Sequence, residues 1–346
     1  MNAKKSLNGK FDVSGGALWT GKAFVAGAAA FLVLNLFCVV YYNIPFRTYD
    51  TQGMTEYNLH KGSFHSQLTE SFGYGVIDKN GYNNAENLAE VENPQVLIMG
   101  SSHIAALYIP QNKNATYILD DLLRNIGFNA YAVGISAHSL TTLSKHLPNA
   151  LDVIKPLYVV LETGTVNFSD KLLENYMSDS LPLVRNREQG GLAQLTQILY
   201  LRLIRFQLGN IIRSNAGENE QETETHNALP STDLLQKFTD KINGTATKHG
   251  AKPIIFYHPR LIINADGTVT PSHNNADIND FSDACAASGI EFIDMTQTFI
   301  DAYYNEHILP HGFFNTEIGT GHLNEYGHKM VAEKLAEKII ALEGEK

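Results

Sequence analysis

The chain contains few charged residues and almost no cysteine. Only 18% of its 346 residues are charged, and 36 acidic against 26 basic side chains give a formal net charge of −10. Such a chain lacks the basic stripe that displaces counterions from phosphates, so we expect no nucleic-acid partner. Its two cysteines, Cys38 and Cys285, cannot form a disulfide framework, and we interpret both as small buried or lipid-facing hydrophobic residues.

The sequence also lacks any short repeat, although it is well supplied with apolar residues. Hydrophobic residues make up 44% of the chain and aromatic residues 10%. These values exclude a collagen-like, coiled-coil or wholly disordered protein. The length fits one large α/β domain or two small ones, with enough apolar content for a complete core.

A long uncharged run near the N-terminus predicts a membrane anchor. Residues 23–42 carry no charge, and Asn35 is their only clearly polar side chain. At 1.5 Å per residue this run would span roughly 30 Å, the thickness of a bilayer core. A cleaved signal peptide or a buried core helix would also contain an apolar run. A signal peptide, however, has a shorter apolar region followed by a cleavage site with small residues, whereas bulky residues end the apolar run here.

The distribution of basic residues predicts the orientation of this anchor. Four lysines precede the run, and Arg47 is the only nearby basic residue after it. By the positive-inside rule we expect a cytoplasmic tail over 1–22, an anchor over 23–45 and an extracytoplasmic remainder. Residues 46–90 are polar and rich in Gly, Asn and Tyr, which is typical of a stalk or an N-terminal elaboration of the domain that follows.

Short apolar runs alternate with helical patterns through the remaining domain, 91–346. We predict strands over 96–100, 130–134, 158–162, 253–257 and 291–295, and helices over 117–126, 140–151, 232–248, 278–288 and 324–342. Residues 192–212 are predicted as a long amphipathic helix that forms a lid or packs on one face, and 214–227 as a mobile acidic loop. Helices between successive strands imply right-handed crossovers. The expected fold is therefore a three-layer α/β/α sandwich with a five-stranded parallel sheet.

Ligands bind such sheets beyond the carboxyl ends of the strands, so the residues after each strand are the candidates for chemistry. Ser101 and Ser102 follow the first strand, where a hydroxyl and helix N-terminal amides together supply a nucleophile and part of an oxyanion hole. Either serine alternatively only caps the next helix. Gly134 follows the second strand, where it lets the backbone approach a ligand or simply permits the turn.

The order of these residues resembles that of the SGNH/GDSL hydrolase superfamily. The resemblance covers about residues 94–342 and rests on Gly100-Ser101-Ser102, Gly134 and the segment 321–339, GHLNEYGHKMVAEKLAEKI. It implies a flavodoxin-like sheet, Ser102 as nucleophile and His322 as base. Ser101 stands where the family has aspartate, as it does in single-span membrane members that acylate the cell envelope.

This chain departs from the family's pattern at two places. Its oxyanion asparagine comes one residue late here, at Asn167, so the implied oxyanion hole consists of the amides of Ser102 and Gly134 with Asn167. The family's aspartate three residues before the histidine is replaced by Gly319. Glu317 is the nearest carboxylate and our candidate third catalytic residue, with a Ser–His dyad as the alternative.

The other polar residues at strand ends are candidates for binding substrate. These are His103, Glu162, Thr163 and Arg260. His307 and His311 have the i, i+4 spacing of a helical metal pair, but Pro310 between them makes a regular helix unfavourable, and we predict neither a metal nor another cofactor.

The sequence therefore predicts a membrane-anchored extracytoplasmic serine esterase or O-acyltransferase. We expect it to act through a Ser102 acyl-enzyme on a cell-envelope or exported polysaccharide, with acetyl as the acyl group. A membrane-bound acyltransferase is the expected partner that supplies acyl groups, and membrane lipid contacts the anchor. The alternative is a non-catalytic carbohydrate-binding or assembly protein on a degenerate hydrolase fold, which the missing aspartate favours.

Overall fold

The computed structural model describes residues 13–45, 47–49, 54, 55, 57–85, 88, 94–178, 204, 207, 208, 231–272 and 275–344. The predicted acidic loop over 214–227 lies outside the described residues, as does nearly all of the helix predicted over 192–212.

The described chain begins with the long helix α1, Val13–Tyr41. Its part from Leu18 to Tyr41 has 24 residues with a mean hydropathy of 2.5 and is almost entirely exposed. Asn35, the polar residue within it, donates its side-chain amide to the carbonyl of Phe31, so that the helix itself satisfies this group. Among the described residues, α1 is the one helix long and apolar enough to span a membrane or to act as a signal sequence.

Five short strands follow α1 and form two antiparallel sheets. They are β1 Tyr42–Asn43, β2 Arg47–Tyr49, β3 Tyr57–Leu59, β4 Phe64–Gln67 and β5 Gly73–Val76. One sheet has the order β1-β4-β5, and β2 pairs with β3. The first sheet is continuous with α1, because β1 starts at the next residue and the amide of Leu68 donates to the carbonyl of Tyr41, 2.8 Å away.

The remaining elements build an α/β domain. In chain order they are β6 Val96–Gly100, α2 Ser102–Ala105, α3 Ala115–Leu123, β7 Ala130–Gly134, α4 Leu140–Ile154, β8 Tyr158–Thr163, α5 Asp170–Met177, α6 Thr232–Lys248, β9 Lys252–Tyr257, β10 Leu261–Ile263, β11 Val269–Pro271, α7 Asn275–Ala287, β12 Glu291–Asp294, α8 Thr296–Glu306 and α9 Glu325–Gly344.

The central sheet has five parallel strands in the order β12-β9-β8-β6-β7. Counted along the chain, this is the order 2-1-3-4-5 of the flavodoxin-like sheet. One hydrophobic cluster packs α4 and α6 on one face, and a second packs α3 and α9 on the other. The predicted three-layer α/β/α sandwich is thus confirmed. The direction of winding reverses between β6 and β8, which makes the carboxyl ends of these two strands the expected ligand crevice.

The five predicted strands agree with the observed ones to within a residue, whereas several other elements differ from the prediction. Helix α4 continues to Ile154, past the Pro148 in its interior. An interior proline removes one N–H bond and crowds the carbonyl four residues earlier, and the packing of the buried face of α4 in the core offsets this cost. The sequence did not indicate α5, nor α8 and the β10–β11 hairpin, which follow strands β12 and β9 directly. Both cysteines are free and buried, in agreement with the interpretation of them as small hydrophobic residues.

The segment that precedes the central sheet packs against it. Asn84 pairs with the backbone of Ala132 in β7, accepting from its N–H at 3.0 Å and donating to its carbonyl at 2.9 Å. The hydroxyl of Tyr131 donates to Asp78 at 2.7 Å, and Asn83 donates to the carbonyl of Ala105. These side chains cover the open edge of β7, which protects it from pairing with another chain. The described residues 78–84 therefore pack against the domain, as an N-terminal elaboration would.

Candidate active site

The hydroxyl of Ser102 lies at the carboxyl end of β6, on the first residue of helix α2. Ser101 is the N-cap of α2, and its side chain accepts from the amide of His103 at 3.2 Å. The capping function thus belongs to Ser101, which leaves the Ser102 hydroxyl available for another partner.

That partner is His322, which lies in the segment before α9. Its Nε2 is 2.9 Å from Oγ of Ser102. Its Nδ1 is 2.8 Å from Oε1 of Glu70, and its backbone N–H donates to Oε2 of the same carboxylate at 3.1 Å. A carboxylate at Nδ1 holds the neutral imidazole in the tautomer that exposes the Nε2 lone pair to the serine hydroxyl.

The structure places Glu70, and not the predicted Glu317, beside His322. The side chain of Glu317 is exposed, and its carbonyl is the part that takes part in local bonding, as acceptor from the amide and hydroxyl of Thr320. Glu70 takes the place beside His322 from the turn between β4 and β5. It reaches there because Gly321 has no side chain: a Cβ at that glycine would lie 2.8 Å from Oε2 of Glu70.

Tyr108 is a further residue that the sequence did not indicate. Its ring stacks on the imidazole of His322, with centroids 4.0 Å apart and planes 21° apart. Burial, followed by the nearby carboxylate of Glu70, raises the pKa of the Tyr108 phenol above its usual value. The phenol therefore stays neutral at physiological pH and supports one face of the imidazole without adding charge.

Glu162 was predicted to bind substrate, but its carboxylate is buried and fully engaged behind the nucleophile. Oε2 accepts from the amide of Ser101 at 2.6 Å, and Oε1 accepts from Nε2 of His258 at 2.6 Å. Burial opposes its ionisation, but the hydrogen bonds from His258 and Ser101 outweigh that effect and hold the pKa of Glu162 below its usual value. Glu162 thus fixes the strand-to-helix turn that carries Ser102.

His103 was also predicted to contact substrate, and it instead lies within a cluster of imidazoles. Its Nδ1 accepts from the amide of Leu323 at 3.1 Å. Its ring centroid lies 4.6 Å from that of His258 and 5.6 Å from that of His311. The Nδ1 of His258 is 3.3 Å from Nε2 of His311. Burial, then the neighbouring histidines, lower the pKa of both His103 and His311 well below the usual value.

Potential ligand atoms of these three histidines lie within 4.8 Å of one another, a spacing that one metal ion can bridge. His103 does not fit that role in the present arrangement. Because its Nδ1 accepts a backbone N–H, the neutral ring carries its proton on Nε2 and has no free lone pair for a metal. We therefore interpret the cluster as hydrogen-bonded imidazoles in which burial keeps His103 and His311 neutral.

The remaining predicted binding residues lie around the ends of β8 and β9. Thr163 donates its hydroxyl to the carbonyl of Thr165 and so closes the turn after β8. The backbone N–H of Asn167 donates to the hydroxyl of Thr165. Arg260 is exposed and lies close enough to His311 to disfavour its protonation. Thr163 is thus committed to its own turn, whereas roles for Asn167 and Arg260 stay predictions.

The backbone amide of Gly134, a predicted donor of the oxyanion hole, points away from the neighbouring strand β6. The amide of Ile135 donates to the carbonyl of Gly100, and the amide of Ala132 donates to Asn84 at the open edge. Because successive amides of a strand alternate in direction, the Gly134 amide points to the same open edge as that of Ala132. A Cβ at Gly134 would lie 2.2 Å from the Ala105 amide, so only glycine permits this close approach to α2.

No family model matches the chain, and no curated protein matches it. Among solved structures it is similar to TesA, with 14% identity, coverage of 69% of this chain and 94% of that one, and a TM-score of 0.36. It is also similar to the psychrotrophic esterase EstA from Pseudoalteromonas sp. (11% identity, 72% and 98% coverage, TM-score 0.41) and to the acetyl xylan esterase AlAXEase (15%, 70% and 99%, 0.41). At these identities the likeness concerns the fold, and the chemistry depends on the geometry of the site itself.

We predict that Glu70→Gln slows the reaction of Ser102 with a fluorophosphonate probe by about 10²–10⁴-fold, because the amide no longer fixes the tautomer or stabilises the imidazolium of His322. Labelling rates of the purified full-length protein measure this. Glu317→Gln is the matched control, and we expect its rate to stay within about twofold of the wild type. A normal rate in Glu70→Gln together with a slow one in Glu317→Gln would reverse the assignment.

We predict from the buried histidines that the free energy of unfolding decreases as the pH is lowered. His328 accepts the Ala115 amide on Nδ1, and burial lowers its pKa to about 3. Because this folded-state pKa lies below that of the unfolded chain, near 6.5, the unfolded state binds more protons as the pH falls from about 6.5 towards 3. The free energy of unfolding should therefore decrease over this window, with His328 contributing up to about 1.4 kcal/mol per pH unit.

Urea denaturation at a series of pH values tests this prediction. His328→Asn keeps an acceptor for the Ala115 amide but cannot be protonated, so its stability should depend on pH less steeply than that of the wild type. Gln in place of the exposed His60 is the control and should leave the slope unchanged. Equal slopes in the wild type and His328→Asn would contradict a neutral buried His328.

Proposed function

We propose that the protein is a membrane-anchored serine ester hydrolase or O-acyltransferase that forms an acyl-enzyme on Ser102. The observation that carries this proposal is the chain of two hydrogen bonds from Ser102 Oγ to His322 Nε2 and from His322 Nδ1 to Glu70, at 2.9 and 2.8 Å. A hydroxyl, an imidazole and a carboxylate in this order form a nucleophile, its base and the group that orients the base.

In the first half of the reaction, Oγ of Ser102 attacks the carbonyl carbon of an ester while Nε2 of His322 takes the hydroxyl proton. The amide of Ser102 belongs to the first turn of α2, where helix amides have no acceptor within the helix, and together with the Gly134 amide it is suited to stabilise the oxyanion. Asn167 is the third candidate donor. The carbon–oxygen bond to the leaving alcohol then breaks, and His322 returns the proton to that alcohol.

In the second half, an acceptor hydroxyl attacks the acyl group on Ser102 and loses its proton to His322. Water as acceptor releases the free acid, and a sugar hydroxyl yields a new ester. Both outcomes regenerate Ser102 and use the same residues. Hydrolysis and transfer therefore differ in which acceptor is bound and not in the catalytic groups.

The proposed location sets the substrate class. Helix α1 is long enough to anchor the chain, and the lysines before it favour a cytoplasmic N-terminus and an extracytoplasmic catalytic domain. Esters at that location include O-acetyl groups on cell-envelope or exported polysaccharides, which we propose as substrate or product. In the transfer direction, a membrane-bound acyltransferase would supply the acyl groups.

A non-catalytic glycan-binding or assembly protein is the alternative that the sequence left open. The lack of an acid three residues before His322 was the main argument for it. Glu70 removes that argument, because it provides the missing carboxylate from another part of the chain. The geometry therefore favours an enzyme.

We predict that a fluorophosphonate labels the wild-type protein and that labelling is lost in Ser102→Ala. Ser101→Ala is the matched control: the neighbouring hydroxyl caps α2, so its removal costs about 0.5–2 kcal/mol of stability but leaves the nucleophile in place. Labelling that persists in Ser102→Ala, or its absence in a folded wild type that retains glycan binding, would favour the binding protein. Release of acetate from p-nitrophenyl acetate, with and without an added polysaccharide, then separates hydrolysis from transfer.

A further inference from the structure

Three large apolar side chains near the catalytic residues are exposed. Phe314 and Ile318, in the segment before α9, are 73% and 79% exposed. Phe72, in the turn between β4 and β5, is 44% exposed, and its ring lies 5.3 Å from that of Tyr74. Single exposed apolar residues are common on protein surfaces, so exposure by itself does not identify a binding surface. The position of these residues relative to α1 is what distinguishes them.

The segment 312–321, which we call the rim loop, is attached directly to the end of α1. The side-chain amide of Asn315 in the rim loop donates to the carbonyl of Leu68 at 2.9 Å. The amide of the same Leu68 donates to the carbonyl of Tyr41, the last residue of α1, at 2.8 Å. Only the length of one residue therefore separates the rim loop from the end of the apolar helix.

The length of α1 sets the depth at which these contacts occur. A predominantly apolar helix of 24 residues is about 36 Å long at 1.5 Å per residue, which exceeds the hydrocarbon thickness of about 30 Å. Tyr41 and Tyr42 at its end are typical of the aromatic belt at the membrane–water interface. A loop bonded next to Tyr41 then lies at the level of the lipid headgroups, from which Phe314 and Ile318 can reach the acyl chains beneath.

We propose that the rim loop and the turn 68–72 dock on the lipid bilayer that holds α1, with Phe314 and Ile318 immersed at the interface. This inference rests on the membrane anchoring proposed above. The same two segments carry His322, directly after the rim loop, and Glu70, within the turn. Ser102 consequently opens at the lipid–water boundary, and its acyl donor arrives there and not from the bulk aqueous phase.

The charges of these segments indicate which lipid surface fits. The rim loop contains Glu317 and no lysine or arginine, and the carboxylate of Glu70 faces His322. A surface with this charge gains nothing from anionic lipids, so apolar insertion next to the anchor must provide the attraction. The chemistry therefore fits a zwitterionic bilayer.

Tryptophan quenching by brominated lipid tests this docking in the full-length protein. The only native tryptophan, Trp19, lies in α1 and is replaced by Phe, after which Phe314→Trp introduces a single reporter. Val153→Trp is the control, since Val153 is 52% exposed near the end of α4, at the amino ends of the sheet strands and away from the site. The proteins are placed in nanodiscs of phosphatidylcholine with or without bromine at acyl carbons 6 and 7.

We expect brominated lipid to remove about half of the emission at position 314 and about a tenth or less at position 153, because interfacial insertion buries a side chain roughly 5–10 Å deep. Equal, weak quenching at both positions would overturn the docking. The wild-type protein with its native Trp19 tells this failure apart from failure of the anchor: Trp19 should be quenched if α1 is in the bilayer, and an unquenched Trp19 would contradict the anchoring itself. Insertion only when a partner protein is added would also overturn the proposal.

Discussion

The contact between Glu70 and His322 is the constraint on which the candidate active site depends. A neutral imidazole can act as base toward Ser102 only if its proton resides on Nδ1, and an acceptor at that nitrogen makes this the favoured tautomer. Glu70 also binds the backbone amide of His322, so it fixes both the ring and the chain that carries it. Its own position depends on the small β1-β4-β5 sheet, which lies outside the parallel sheet that carries Ser102.

The parallel sheet was predictable from local sequence pattern, and the serine–histidine pair from the resemblance to a known family. Buried parallel strands are continuous apolar runs, and the residues that follow them converge at one edge of the sheet. Ser102 lies at such an end, whereas His322 lies in the segment before α9, so the resemblance and not the strand pattern paired these two residues across 220 positions. The strand pattern also places Glu162 at that edge, but it does not reveal that its carboxylate points inward to Ser101 and His258.

Glu70 could not be predicted in this way. It lies in a polar segment with no strong periodicity, 252 positions from His322. The antiparallel pairing of β4 with β5 places it beside the histidine, and no pattern in the sequence indicates that pairing. The search for an acid near His322 in sequence therefore led to Glu317, which is close along the chain but turned to solvent. One indirect signal was available. Gly321 directly before the histidine has a positive φ and leaves room for a neighbour, which indicates a close approach without showing by what.

Backbone hydrogen bonds connect the end of α1 to the turn that carries Glu70. The last turn of the apolar helix, strand β4 and the turn with Glu70 are joined by backbone hydrogen bonds, with Tyr42 paired to Gln67 and Leu68 bonded to Tyr41. A shift of α1 relative to the domain would therefore displace the carboxylate before it displaced Ser102, which is held by the central sheet. Because the imidazole depends on that carboxylate, the apolar helix α1 also helps to position the base. The apolar helix and the carboxylate beside His322 are in this sense one structural unit, joined by the short β1-β4-β5 sheet.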